Sequence, residues 1–368
     1  MSLLLSRLSK LRLGESRRST LLRLSSAYSS SPIQKKSPPY IITGAEPCGE
    51  GFLGRLTVSY ANDPGIDIQL EKKVPGELLY NDIFKTMVTI GSSHGWVATL
   101  KEDGILLLQD DLNPSASYTD PKHIPLPPLV TLPHCQTQII TNVSMSSSSP
   151  EDENCVVAVK FLGPQLSICR PALRNSEWTN ISVENPCFFS SRVVFSKKDE
   201  TFRMPCSGGQ LIGSWDLSKE KLNIQRLQFK NLPVLDKTTR ELLDSCCTVE
   251  NLVESVTTGE TFLVKQYKKT DETVEGGVAK LKTEYVMVLK LDGEGNAVYT
   301  QDIGDLCIFL SRSEPFCVPA TSLPGTEPNF VYILDFEEFA YFNVADYTFG
   351  FSRTSHYSAP YYIPPQNM

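Results

Sequence analysis

Trp96-Val97-Ala98-Thr99-Leu100-Lys101-Glu102-Asp103-Gly104-Ile105-Leu106-Leu107-Leu108-Gln109 reads as two short strands joined by a tight turn. Each apolar run spans about five residues, the length of a strand and too short for an ordinary helix. Asp103-Gly104 supplies the positive φ that a tight hairpin wants. Residues 86–90 form a third strand just upstream, so three strands fall within 24 residues.

The same figure recurs outward in both directions. Residues 155–162 and 165–170 flank Gly163-Pro164, and 192–196 and 201–206 flank a Lys-Lys-Asp-Glu turn, followed by 211–217. Runs at 261–267 and 285–292 bracket a Lys/Thr/Glu/Gly loop, and 297–302, 307–310, 329–335 and 339–345 close the series. Helix is scarce: residues 236–247 are the one good candidate, with Asp236 placed to cap the first turn. About 23 strands in groups of four, repeating every 45–60 residues or so, suit propeller blades. The chain is expected to be all-β, a single propeller of about six blades, with seven as the alternative. Groups fall at 40–75 (three strands), 84–127, 138–182, 192–229, 251–303 and 307–365. A ring must close, because an open edge strand invites aggregation. Pro38-Pro39-Tyr40 and Tyr361-Tyr362-Ile363-Pro364 are placed to meet in one blade.

Composition agrees. The chain is 40% hydrophobic and 21% charged, with 25 Pro and 22 Gly, so it can bury a core and is rich in turns. Residues 1–36 differ from the rest: five Arg and three Lys stand against the single acid Glu15, a local charge of +7. The whole chain is at −7, which leaves about −14 on residues 37–368. A basic, Ser-rich, acid-poor head on an acidic body has the composition of an organellar transit peptide. Arg7, Arg12, Arg17, Arg18 and Arg23 alternate with a leucine stripe and are the expected targeting residues, with cleavage at about 24–31 and a propeller domain over 37–368. The expected address is mitochondrial, with chloroplast or dual import as the alternative and a disordered basic arm as the plain reading. Leu3-Leu4-Leu5 falls short of the 7–15 or so apolar residues of a secretory signal. No stretch approaches the roughly 18 of a membrane span, so stable membrane insertion is not expected. An acidic body argues against nonspecific nucleic-acid binding, which needs phosphate neutralisation by Lys and Arg.

Chemistry-bearing motifs are few. The ten Cys show no CxxC and the four His no zinc-like spacing. Several Cys lie in apolar runs, where a thiol behaves as a small hydrophobe; reduced structural thiols are expected, and Cys246-Cys247 is the one pair suited to redox chemistry. Asp110-Asp111, Glu151-Asp152-Glu153 and Glu337-Glu338 sit at strand ends or in loops and read as solvated. Ser207-Gly208-Gly209 reads as a turn, and Trp96, Trp178 and Trp215 as packing between blades. His94 stands beside Gly95 with no partner visible in the sequence. No GxSxG, HExxH, GxxxxGK[ST] or strand-to-helix GxGxxG occurs. No catalytic residue, metal ligand or cofactor is expected.

A wider resemblance rests on an ordered set of motifs. Ser93-His94-Gly95-Trp96-Val97-Ala98-Thr99-Leu100, Gly208-Gly209-Gln210 leading to Trp215-Asp216-Leu217, and Asn251-Leu252-Val253-Glu254-Ser255 come first. Gly259–Val264, Val288–Asp292, Ile303-Gly304-Asp305-Leu306-Cys307-Ile308-Phe309-Leu310, Pro324-Gly325, Pro328-Asn329 and Val331-Tyr332 follow. Together these resemble the plant proteins of domain of unknown function 295, the KIB-type β-propellers, over residues 93–346 or so. Many members of that family carry an N-terminal F-box and act as ubiquitin-ligase adaptors. The head here resembles instead an organellar branch, to which that role does not carry over, and the family supplies no catalytic residues to transfer. The expected function is a noncatalytic interaction module with an unknown organellar protein as partner. The alternative is a propeller enzyme, a hydrolase or sugar-acting, whose acids converge only in three dimensions.

A fluorescent reporter fused to residues 1–40 is expected to enter mitochondria. Changing the five head arginines together to Glu is expected to leave it cytosolic, because the attraction to import receptors and anionic membrane is reversed. Unaltered import of that mutant, seen by microscopy, would overturn the assignment.

Overall fold

The computed structural model describes residues 22–23, 37–49, 53–78, 87–132, 139–270, 281–323, 326–335, 338–352 and 360–366. Arg7, Arg12, Arg17 and Arg18, the cleavage interval 24–31, the loop 271–280, Glu337 and Pro324-Gly325 lie outside the described residues. Arg23 falls in the two-residue strand Leu22–Arg23, which runs parallel to Ile68 and Gln69.

Six sheets follow one another as the blades of a propeller. Blade one joins Tyr40–Pro47, Leu53–Tyr60 and Asp63–Pro75 to Tyr362–Ile363 from the other end of the chain. Blade two is Met87–Ser93, Trp96–Lys101, Ile105–Gln109 and His123–Pro128; blade three is Ile140–Met145, Val157–Phe161, Gln165–Cys169 and Thr179–Ser182. Blade four is Val194–Ser196, Thr201–Pro205, Leu211–Asp216 and Lys221–Arg226. Blade five holds Cys247–Glu254, Thr261–Thr270, Leu281–Leu291 and Asn296–Tyr299, and Gln228–Lys230 lies parallel along its outer edge. Blade six holds Leu306–Leu310, Phe316–Pro319, Phe330–Asp335, Glu338–Asn343 and Phe349–Ser352.

The expected architecture holds, with six blades. Three of them carry a fifth strand that the reading in fours did not foresee. In blade six Phe316–Pro319 folds back on Leu306–Leu310, which therefore pairs in parallel with Phe330–Asp335. The opening hairpin pairs Val97 with Gln109 and Leu100 with Leu106, and Gly104 turns it at φ +81°. The helix is shorter than expected, Lys237–Asp244, because Cys247 already pairs with Lys268 in the next strand. Asp236 does cap it, accepting the Thr239 N–H at 2.8 Å. No helix among the described residues is long and apolar enough to cross a membrane.

The core is divided by the ring. Side chains on a strand alternate between faces, and here each face meets a neighbouring blade. Ile41 joins the cluster between blades six and one, while Ile42 joins the cluster between blades one and two. Phe262 and Val264 face blade six, and Leu263 between them faces blade four. Six apolar clusters result, each filling one interface between neighbours. The tryptophans lie where expected. Trp96 and Trp178 pack between blades two and three, their indole N–H groups donating to Ser148 O at 3.0 Å and Pro127 O at 2.6 Å. Trp215 packs between blades three and four.

Closure is made by the chain ends: Tyr40 pairs with Ile363 and Ile41 with Tyr362. Tyr362 is 0% exposed and its ring lies 5.2 Å from that of Phe309. Tyr362→Ala is expected to cost about 3–5 kcal/mol, as for large aromatics lost from cores. Phe351→Ala, at a side chain 61% exposed on blade six, should stay within about 0.5 kcal/mol. Denaturant titration of both variants checks the contrast, and a negligible effect at Tyr362 would mean that closure contributes little to stability.

Candidate functional site

The turn after Leu306–Leu310 is the polar run Ser311-Arg312-Ser313-Glu314-Pro315. In sequence it looks like an exposed connection. In the ring it reaches across the centre to the innermost strands of blades one to four. The Glu314 N–H donates to Ser92 O at 2.7 Å, and Ser313 bridges to Ser92. Glu314 Oε2 accepts the Ser93 hydroxyl at 2.5 Å, and Oε1 accepts the Ser144 hydroxyl at 2.8 Å and the Phe195 N–H at 3.0 Å. One carboxylate from blade six thus holds blades two, three and four. Ser311 Oγ accepts the Tyr362 N–H of blade one at 3.2 Å, and Ser311 O accepts from Arg192 of blade four at 2.7 Å.

His94 is the residue whose partner the sequence concealed. It occupies the left-handed region at φ +52°, next to Gly95 at φ +86°. Its Nδ1 lies 2.9 Å from Ser93 Oγ and 4.0 Å from Glu314 Oε2. Burial lowers its pKa, with Glu314 opposing and Lys197 reinforcing the shift.

Serine, histidine and glutamate therefore meet, but in the wrong order for a nucleophile. A catalytic triad needs the histidine between the serine and the acid, so that it can take the hydroxyl proton. Here Ser93 gives its one proton to Glu314 and accepts the Met145 N–H at 3.1 Å, which leaves His94 Nδ1 only a donor's part. Ser93 is 2% exposed besides. The grouping holds strands; it does not present a reactive oxygen.

Three of the acids depart from the solvated reading. Asp110 and Asp111 are buried, at 7% and 2% exposure. Asp110 accepts the Lys122 N–H at 2.8 Å and Asp111 meets His123 Nε2 at 2.6 Å, because the loop after Ile105–Gln109 folds back on its own blade. Lys72 lies against the same loop, donating to the carbonyls of Asp110 and Asn113 at 2.9 and 3.0 Å. Glu338 is also buried, accepting the Thr283 N–H at 2.7 Å beside Lys268 at 3.4 Å. Glu151, Asp152 and Glu153 are exposed as expected. Gly208 and Gly209 make the expected turn, at φ +87° and +78°.

The nine described cysteines are free thiols. Burial pushes the Cys155 thiol up to about 11 and that of Cys307 up to about 12, which suppresses thiolate formation. Cys246 is half-buried and Cys247 exposed. Their thiols donate to the backbone carbonyls of Leu242 and Lys268.

Glu314 is the residue that sequence reasoning missed, since a four-residue polar run between apolar strands carries no sign of its destination. Glu314→Ala strands two hydroxyls and one backbone N–H at the ring centre. It is expected to lower stability by about 2–3 kcal/mol. Glu314→Gln, which keeps an acceptor oxygen, should lose less, and denaturation midpoints of the two variants check the order.

A family model described as the KIB1-4 β-propeller matches residues 68–357. No curated protein matches the sequence. Among solved structures, Sqt1 of Saccharomyces cerevisiae has a TM-score of 0.36 at 9% identity, covering 90% of this chain and 83% of that one. The Cps50 (Swd1) β-propeller domain of Myceliophteria thermophila has a TM-score of 0.33 at 8% identity, with coverages of 85% and 88%. A streptogramin B lyase has a TM-score of 0.32 at 11% identity, with coverages of 86% and 95%. Likenesses so remote carry no argument about function. The family match is different in kind, for it runs from the outer strand of blade one through all of blade six. The ring that Glu314 ties together is that of the KIB1-4 β-propeller family, to which this chain belongs.

Proposed function

We propose that this protein is a noncatalytic interaction module that holds an organellar protein partner on its outer surface. The observation that carries this reading is the engagement of Glu314, Ser93 and His94 with one another and with the backbone of neighbouring blades. Groups spent on holding the scaffold are not available to turn over a substrate, whereas loops on a rigid scaffold are free to bind.

The surface with the clearest character is the connection from blade four to blade five. Asn231-Leu232-Pro233-Val234-Leu235 runs in the open between Gln228–Lys230 and the helix, with Leu232 48% and Val234 99% exposed. Ile224, on the edge strand of blade four just before it, is 48% exposed. Exposed apolar side chains grouped in this way mark contact sites more often than scattered ones do. A body near −14 would favour a partner with a basic surface, through long-range attraction that raises the rate of encounter. The mitochondrial address rests on the composition of the head, with plastids as the competing destination.

Proximity labelling in isolated organelles, using the mature protein and its Leu232→Asp/Val234→Asp variant, tests the reading. The variant is expected to keep the melting temperature and lose at least ten-fold of the labelling of the principal partner. Unchanged labelling would move the contact surface elsewhere. Turnover of a glycoside or ester by the wild type would favour the enzyme alternative.

A further inference from the structure

The buried lysines among the described residues are held by protein acceptors. Lys72 donates to two carbonyls. Lys160 donates to the carbonyls of Phe161, Gly163 and Phe189. Lys265 donates to Gly208 O and lies over the rings of Phe229 and Tyr267. Lys268 meets the carboxylates of Asp335 and Glu338.

Arg192 is half-buried and keeps donors to spare. Its Nη1 donates to Ser311 O at 2.7 Å and lies 3.5 Å from Asn251 Oδ1, both neutral acceptors. Among the described residues it makes no ion pair, and its Nε and Nη2 groups have no protein acceptor. The Nε–Nη2 edge is one a planar guanidinium offers to an oxyanion in two parallel hydrogen bonds. The side chain is packed inside the ring and half-buried. Burial depresses its pKa, and of its charged neighbours Asp335 opposes the shift while Arg312 reinforces it.

The surroundings suit an anion. Asn251 and Gln266, 1% and 4% exposed, are hydrogen-bonded to each other at 3.1 Å and form a neutral polar wall. Arg312 follows Ser311 directly, its side chain 50% exposed and its Nε held by Asp335 at 3.3 Å. A guanidinium edge left over in a partly desolvated place is suited to an oxyanion, which it can hold by two charge-assisted hydrogen bonds. We propose that Arg192, with Arg312 beside it, forms a binding site near the ring centre for a small oxyanion presenting two oxygens, a phosphate or a carboxylate. The site is separate from the partner surface around Val234, so either assignment can fail without the other.

Thermal unfolding of the purified protein, titrated with inorganic phosphate and in a second arm with succinate at constant ionic strength, tests this. The wild type is expected to show a saturable rise in melting temperature, about 3 °C near 100 times Kd. Saturation by phosphate alone assigns a phosphoryl ligand, by succinate alone a carboxylate, and by both a general oxyanion site. Arg192→Gln is expected to abolish the saturable part, and Arg312→Gln to weaken the apparent Kd at least three-fold. Should Arg192→Gln fail to fold, the Arg312→Gln comparison and isothermal titration calorimetry of the wild type decide. A non-saturating rise shared by wild type and variants, or no saturable heat, means an adventitious ion only and overturns the proposal.

Discussion

A propeller blade has two apolar faces and can bury both only if it has a neighbour on each side. That constraint governs this molecule. Six interfaces, each filled by one cluster, leave no blade with a free face. The arrangement would fail at one place, the junction of first and last blades, were it not for Tyr362–Ile363 crossing to pair with Tyr40 and Ile41. Closure makes the ends of the chain interdependent and converts a row of hairpins into one cooperative unit.

Closure also creates a polar problem. Innermost strands turn backbone groups and short side chains towards the axis, where neither apolar packing nor bulk water satisfies them. The segment 311–314 answers this from blade six, with a carboxylate that accepts from three other blades and serines that accept from blade one and bridge to blade two. A single carboxylate suits the place because it has lone pairs for several donors at once. The same centre leaves the Nε–Nη2 edge of Arg192 without a protein acceptor among the described residues.

A scaffold organised in this way commits its central carboxylate and serines to structure and leaves its outside free. The acidic body and the apolar stretch between blades four and five are outer features, and they can change without disturbing any of the six clusters. Membership of the KIB1-4 family fits this division, for a propeller is a common platform for interaction and its fold prescribes no reaction.

Strand positions and blade count were legible because they rest on neighbours in sequence. Alternation and turn residues such as Asp103-Gly104 are local, and the strand Ile105–Gln109 begins and ends where its apolar run does. The chain-end clasp could be read as well, since an all-β ring must close and both ends carry strand-forming tyrosine and isoleucine bounded by proline. The centre could not be read. Glu314 meets Ser93, Ser144 and Phe195 across 221, 170 and 119 residues, and no local period encodes such meetings. Asp110 and Asp111 looked solvated for the same reason: their burial depends on a loop that folds back and on Lys72 of another blade. The sequence by itself determined an all-β chain of hairpins and its approximate division into blades, because short-range sterics and hydrophobic alternation suffice for that. Only the tertiary structure decided which polar groups share the axis, because ring closure alone brings those distant residues together.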